Sequence, residues 1–169
     1  FGAGESNETT LLARGECDAF VAKYDATGHL AWVRRGGGDA SDSGMDQAHA
    51  AVAMPDGGAV VAGDFDQAAT FESSDGDGEV EITAEGGPDA FIARYSNDGT
   101  LLWVKSVAGT SEERAYGLCR LADGGVAVGG YFGGVSGGSA TFGQGEANQI
   151  TLSSLEERDV FVAAYGADG

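Results

Sequence analysis

Asp18-Ala19-Phe20-Val21-Ala22-Lys23-Tyr24 returns as Asp89-Ala90-Phe91-Ile92-Ala93-Arg94-Tyr95 and again as Asp159-Val160-Phe161-Val162-Ala163-Ala164-Tyr165, at spacings of 71 and 70 residues. A fixed period decides architecture before any motif does. Within each copy aromatic and small residues alternate with aliphatic and basic ones, the period of two that places successive side chains on opposite faces of a strand. Turn residues follow: Asp25-Ala26-Thr27-Gly28, then Ser96-Asn97-Asp98-Gly99, then Gly166-Ala167-Asp168-Gly169. In the first two copies a second strand leaves the turn through Leu30 and Trp32, or Leu101 and Trp103. The pattern predicts one hairpin drawn repeatedly.

A second hairpin keeps nearly the same beat. Ala50–Met54 and Leu118–Leu121 lead into Asp-Gly-Gly turns at Asp56-Gly57-Gly58 and Asp123-Gly124-Gly125, then return through small residues. Gly57 and Gly124 lie 67 apart, so the slack belongs to a loop. Between the hairpins, Phe71–Gly87 and Phe142–Glu157 carry Val80, Ile82 and Ile150, Leu152, which alternate like a short extra strand. Phe1, Phe71 and Phe142 mark the same place in each period.

Two hairpins per unit and no helical periodicity predict an all-β fold: β-propeller blades of four antiparallel strands, about two and a half repeats of a ~70-residue unit. A β-sandwich gives no reason for so regular a repeat, and the rungs of a parallel solenoid are much shorter. Residues 1–36 read as the second half of a blade, 37–108 as a complete blade, and 109–169 as a partial blade lacking its last strand. The expected repeat core is Phe20, Tyr24, Trp32, Phe91, Tyr95, Trp103, Phe161 and Tyr165, because strict recurrence is what packing between blades demands. The period also predicts that a strand of the form x-Leu-x-Trp-Val follows Gly169, as part of a longer repeat protein or supplied by blades of other chains.

The segments DAFVAKYDATGHLAWV, AHAAVAMPDGGAVVAGDF and ATF, in that order, resemble the bacterial SBBP repeat, the seven-bladed β-propeller repeat. The likeness spans nearly the whole chain, with Ala164 standing where Lys23 and Arg94 stand in the other copies, and with a longer, more acidic 71–87 segment. It implies a secreted or cell-surface bacterial protein whose repeats act as a scaffold or interaction surface, and it carries over no catalytic residues.

Charge narrows the partners. Of the 169 residues, 27 are Asp or Glu and 9 Lys or Arg, a formal balance of −18, which disfavours nucleic acid and anionic membranes. Apolar runs are too short for a membrane span or a signal peptide. Thirty glycines beside two prolines and 42% hydrophobic residues exclude collagen and argue against a disordered chain.

Few residues invite chemistry. Asp75, Asp77 and Glu79 begin like a Ca²⁺ loop, but Val80 and Gly86 stand where such a loop wants glycine and glutamate. Asp39, Asp42 and Asp46, and the pair Asp64 and Asp66, are weaker candidates. Gly134-Val135-Ser136-Gly137-Gly138 matches a nucleophile elbow in letters only, since that motif works on a strand-to-helix turn with a histidine and an acid nearby and this one falls in a glycine-rich loop. His29 and His49 recur in no other copy, and Cys17 and Cys119 fall at different points of the period, so they are expected as reduced or buried thiols. Asn7-Glu8-Thr9 predicts an exposed loop.

The sequence therefore predicts no enzyme, no catalytic residue and no cofactor other than Ca²⁺. The expected role is a structural or adhesive scaffold that associates with itself or with further blades. A carbohydrate- or protein-binding module and a fragment of a propeller enzyme are the alternatives.

Overall fold

The computed structural model describes residues 1–38, 44–74 and 78–169, and these described residues form thirteen strands and no helix. The recurrent hairpin is β1 (Ala19–Tyr24) with β2 (Leu30–Gly37), then β7 (Asp89–Tyr95) with β8 (Leu101–Gly109), and its first strand returns as β13 (Asp159–Tyr165). The Asp-Gly-Gly hairpin is β3 (Gln47–Ala53) with β4 (Ala59–Phe65), and β9 (Glu113–Arg120) with β10 (Val126–Phe132). The intervening segments form hairpins of their own, β5 (Ala68–Phe71) with β6 (Val80–Thr83), and β11 (Gly138–Phe142) with β12 (Ile150–Ser154).

Three antiparallel sheets result, ordered β1-β2-β5-β6, β12-β11-β8-β7-β4-β3 and β13-β10-β9. The expectation of four strands per sheet and one short extra strand per unit is corrected here. Each intervening segment makes two strands, and they join the sheet of the preceding unit: Phe71 pairs with Gly36 in β2, and Ala140 with Gly109 in β8. Gly36 allows the first crossing, because a Cβ there would lie 2.7 Å from the Phe71 ring.

The middle sheet carries a core on each face. Val61, Phe65, Phe91, Ala93 and Tyr95 pack with Trp32 and Phe71 on one side. Val60, Ala62, Ile92 and Val107 pack with Val126, Val128 and Phe161 on the other. Alternation along β4 and β7 thus sends successive residues into different cores, and every residue of β7 is buried. Fully burying one such aliphatic or aromatic side chain is worth about 1.5–3 kcal/mol.

The aromatic and cationic contacts repeat as the letters do. Phe1–Phe20, Phe71–Phe91 and Phe142–Phe161 have ring centroids 5.1, 4.9 and 5.1 Å apart. Trp32 leans on Tyr95 at 5.8 Å, and Trp103 on Tyr165 at 6.4 Å. Lys23 Nζ donates to the Asn97 carbonyl at 3.1 Å, and Arg94 Nη1 to that of Ala167 at 2.6 Å. Ala164 removes this cation from the third copy.

Trp32, Phe91, Tyr95 and Phe161 are buried, and Trp103 and Tyr165 are half-buried. Phe20 and Tyr24 correct the expected core, at 55% and 46% exposure. The cause is position in the sheet. β7 is flanked by β4 and β8, whereas β1 pairs only with β2 among the described residues and the face bearing Phe20 meets little beyond Phe1.

Candidate functional site

Polar side chains concentrate where β3 and β4 meet β9. Asp64, at the end of β4 and 1% exposed, lies 2.5 Å from His49 Nε2 and accepts from Arg114 Nη1 at 2.7 Å. His49 stacks on Tyr116 at 4.6 Å, and Tyr116 leans on Tyr131 at 5.8 Å. Arg158 covers Tyr131 at 4.5 Å while donating to Glu112 at 2.7 Å. An aspartate orienting a histidine has the form of half a catalytic triad. The ring, however, stacks on Tyr116, and no serine or cysteine is hydrogen-bonded to it in the described structure. Its evident work is to lock the middle sheet to the third.

A second cluster escaped the sequence. Asp89, first residue of β7, and Glu113, first residue of β9, are both fully buried and face one another. Asp89 accepts from the amides of Glu85 at 3.0 Å and Gly109 at 3.4 Å, whereas the Glu113 oxygens have no hydrogen-bond partner among the described residues. Burial pushes the Asp89 carboxyl well above the usual carboxylate range, against the pull of those amides. Burial, then the charge of Asp89, does the same to Glu113.

The first copy shows why this pair is acidic and unrelieved. Asp18, the counterpart of Asp89, accepts from Arg35 Nη1 at 3.1 Å, and Arg35 also reaches Glu72 at 3.1 Å. Ser106 replaces Arg35 in the second copy, and Gly143 replaces Glu72 in the third. Asp46, the counterpart of Glu113, is one methylene shorter and accepts from the amides of Gly38 at 2.8 Å and Asp66 at 3.1 Å. The Asp89–Glu113 pair is thus a place to hold a proton, closed to any substrate by its burial. The recurrence of Asp18, Asp89 and Asp159 was a legible signal, but only the fold brings Glu113 to it.

The remaining candidates are scattered. Asp75 and Asp77, with Asp39 and Asp42, lie outside the described residues, and Glu79 is exposed. Among the described residues no three His, Cys, Asp or Glu side chains gather as a metal site built of side chains alone would require. Ser136 sits in the β10–β11 loop, where Gly134 and Gly137 exchange main-chain hydrogen bonds and no helix follows. His29 is exposed beside Asp25, and Asn7 lies on an exposed loop. Of the two states expected for Cys17 and Cys119, reduced or buried, the structure has the first: both are free thiols and both are exposed. Cys119 lies on β9, a sheet edge with no strand beyond it among the described residues.

What the fold does offer is uncovered sheet. Val160 and Val162 on β13 are 85% and 82% exposed, although their counterparts Ala90 and Ile92 are wholly buried. Ile150, Leu152 and Leu155 are exposed as well. Among the described residues no helix is long and apolar enough to cross a membrane. No family model matches the chain, and no curated protein matches it.

Proposed function

We propose that the chain is a segment of a β-propeller-type repeat protein, akin to the bacterial SBBP repeats, that works outside the cell as a non-enzymatic scaffold. Its outer sheet surfaces meet further sheets of the same kind, supplied either by copies of itself or by further blades of a longer chain. The blades are residues 1–36, 37–108 and 109–169. The consecutive order β3-β4-β7-β8 within the middle sheet supports this reading, with β11–β12 as an addition to the blade's far edge.

One observation carries the proposal: residues that are covered in the middle unit are bare in the outer ones. Phe91 is 1% exposed but Phe20 55%, and Ile92 is 0% exposed but Val162 82%. Large apolar side chains left bare where their counterparts are covered are what an interface would use. The repeated geometry of the two internal junctions supports another sheet of the same make as the surface that covers these faces. The tryptophans that a sugar-stacking platform would use are occupied in those junctions. The net charge of −18 opposes association at low ionic strength, and Ca²⁺ bridging carboxylates would relieve it.

Sedimentation across a range of protein and salt concentrations tests this. The wild-type chain is expected to associate as either rises, and Val160→Lys with Val162→Lys to remain monomeric with its thermal stability unchanged. A wild-type chain that stays monomeric throughout would overturn the reading. Unchanged association after chelation would remove Ca²⁺ from it.

A further inference from the structure

Arg35 puts a positive charge inside the junction between the first unit and the second. It is 2% exposed, and its guanidinium donates to Asp18 Oδ2 at 3.1 Å, to Glu72 Oε1 at 3.1 Å and to the Gly38 carbonyl at 3.0 Å. The Gly38 amide in turn donates to Asp46 Oδ2 at 2.8 Å. A buried cation, a main-chain carbonyl and the carboxylates of Asp18, Glu72 and Asp46 thus form one connected group.

The junction between the second unit and the third keeps buried anions and loses the cation. Asp89 stands for Asp18, Glu113 for Asp46 and Gly109 for Gly38, while Ser106 stands for Arg35. The register is the same: Arg35 lies opposite Phe20 in β1, and Ser106 opposite Phe91 in β7. Among the described residues no basic side chain pairs with Asp89 or Glu113, both 0% exposed. The Glu113 amide donates to the Pro88 carbonyl at 2.8 Å, which fixes the start of β9 against the start of β7 and brings the two carboxyls together. Gly109 makes room for them, since a Cβ there would lie 2.4 Å from the Glu113 carboxyl carbon. Neither Glu113 oxygen has a hydrogen-bond donor among the described residues, and Asp89 Oδ1 accepts only from the Gly109 amide, at a long 3.4 Å. Two buried carboxylates without a counter-charge are costly, and orphaned oxygens inside a protein call for a donor or a cation.

We propose that Asp89 and Glu113 bind a divalent cation of the hard, oxygen-seeking class, with Ca²⁺ as its representative, in the place that the Arg35 guanidinium fills in the first junction. Charge sets the valence, because two carboxylates balance one divalent ion. The donors are oxygens alone, which selects a hard cation over zinc or copper. Among the described residues no third carboxylate, histidine or cysteine joins the pair. The Gly109 carbonyl, counterpart of the Gly38 carbonyl that accepts from Arg35, and water therefore complete the shell. The ion ties β7 to β9 and so locks the middle sheet to the third. Without it the pair falls back on a retained proton. The site is separate from the acidic 71–87 segment and does not depend on the scaffold reading.

The whole chain, freed of metal by chelation and dialysis, is titrated with CaCl2 in a calorimeter at mildly alkaline pH. One saturable equivalent is expected, with the melting temperature raised by about 5–10 °C at about a hundredfold excess over the dissociation constant. Glu113→Gln, which keeps the shape and removes one charge, should weaken this binding about tenfold or more and abolish the rise. Asp75→Asn with Asp77→Asn should leave both intact. Ser106→Arg restores the cation of the first junction, so in chelator it should melt above the wild-type chain, and it should take up no Ca²⁺ at this site. A wild-type chain without saturable binding, or binding that persists in Glu113→Gln, overturns the proposal. So does a chain whose melting responds to pH but not to Ca²⁺, because the pair then holds a proton alone. The scaffold reading is judged separately, by sedimentation.

Discussion

Trp32 Nε1 donates to the main-chain carbonyl of Asn97, 2.9 Å away in the turn of the next unit. Trp103 repeats the bond to Ala167 at 3.1 Å. The acceptors are main-chain atoms, which explains how asparagine and alanine serve equally and why only the tryptophan recurs. A buried indole N–H needs such a partner.

Trp32→Phe, which keeps the apolar contact with Tyr95 and loses the donor, is expected to cost about 1 kcal/mol. Trp32→Ala should cost about 3–5 kcal/mol, since it also opens a cavity between two sheets. Trp103→Ala should cost less, because that indole is half-buried. Urea unfolding of the three variants checks the order, and equal losses at positions 32 and 103 would contradict it.

Gly28 and Gly99 both have φ of 86°, yet their surroundings differ. A Cβ on Gly28 meets open space, while one on Gly99 would lie 2.9 Å from the Trp32 ring. Gly28→Ala is therefore expected to cost only the backbone strain of about 1 kcal/mol, and Gly99→Ala clearly more. Thermal melts of the pair separate the strain from the clash.

Asp89 and Glu113 make stability depend on pH in an unusual direction. Both carboxyls titrate higher in the folded chain than in the unfolded one, so the folded state binds the extra proton. Their contribution is complete below the ordinary carboxylate range and is lost as the pH rises through the elevated folded values, by about 1.4 kcal/mol per pH unit for each differential proton. Urea midpoints should therefore fall between mildly acidic and mildly alkaline pH. Glu113→Gln, which cannot ionise, should flatten that fall, and an equally steep slope in the variant would refute the assignment.

Both thiols should react with Ellman's reagent in the native chain, because Cys17 and Cys119 are free and exposed. Release of a single equivalent before denaturation would show that one of them is covered.

Much of the architecture could be read without coordinates. The Asp-Ala-Phe hairpin, the Asp-Gly-Gly hairpin and the two-residue alternation all depend on neighbours along the chain. Phe20 departs from the pattern for the opposite reason. Its apolar alternation states which face wants cover, and says nothing of whether a sheet lies there. The clamp that Glu5 and Asn7 place on the main chain of Leu30 was half-visible, since Phe-Gly-x-Gly-Glu-x-Asn occurs twice, but its meaning depends on Leu30, more than twenty residues away.

By itself the sequence determined the period, the strands, their turns and the two-sided greasiness of each unit, because these follow from local stereochemistry and side-chain alternation. Tertiary structure alone decided that β5–β6 and β11–β12 would pair with the preceding sheet, and that Asp89 would meet Glu113 without the arginine that relieves Asp18. Each of these depends on distances between segments remote in sequence, and a linear pattern encodes the appetite of a surface without naming what satisfies it.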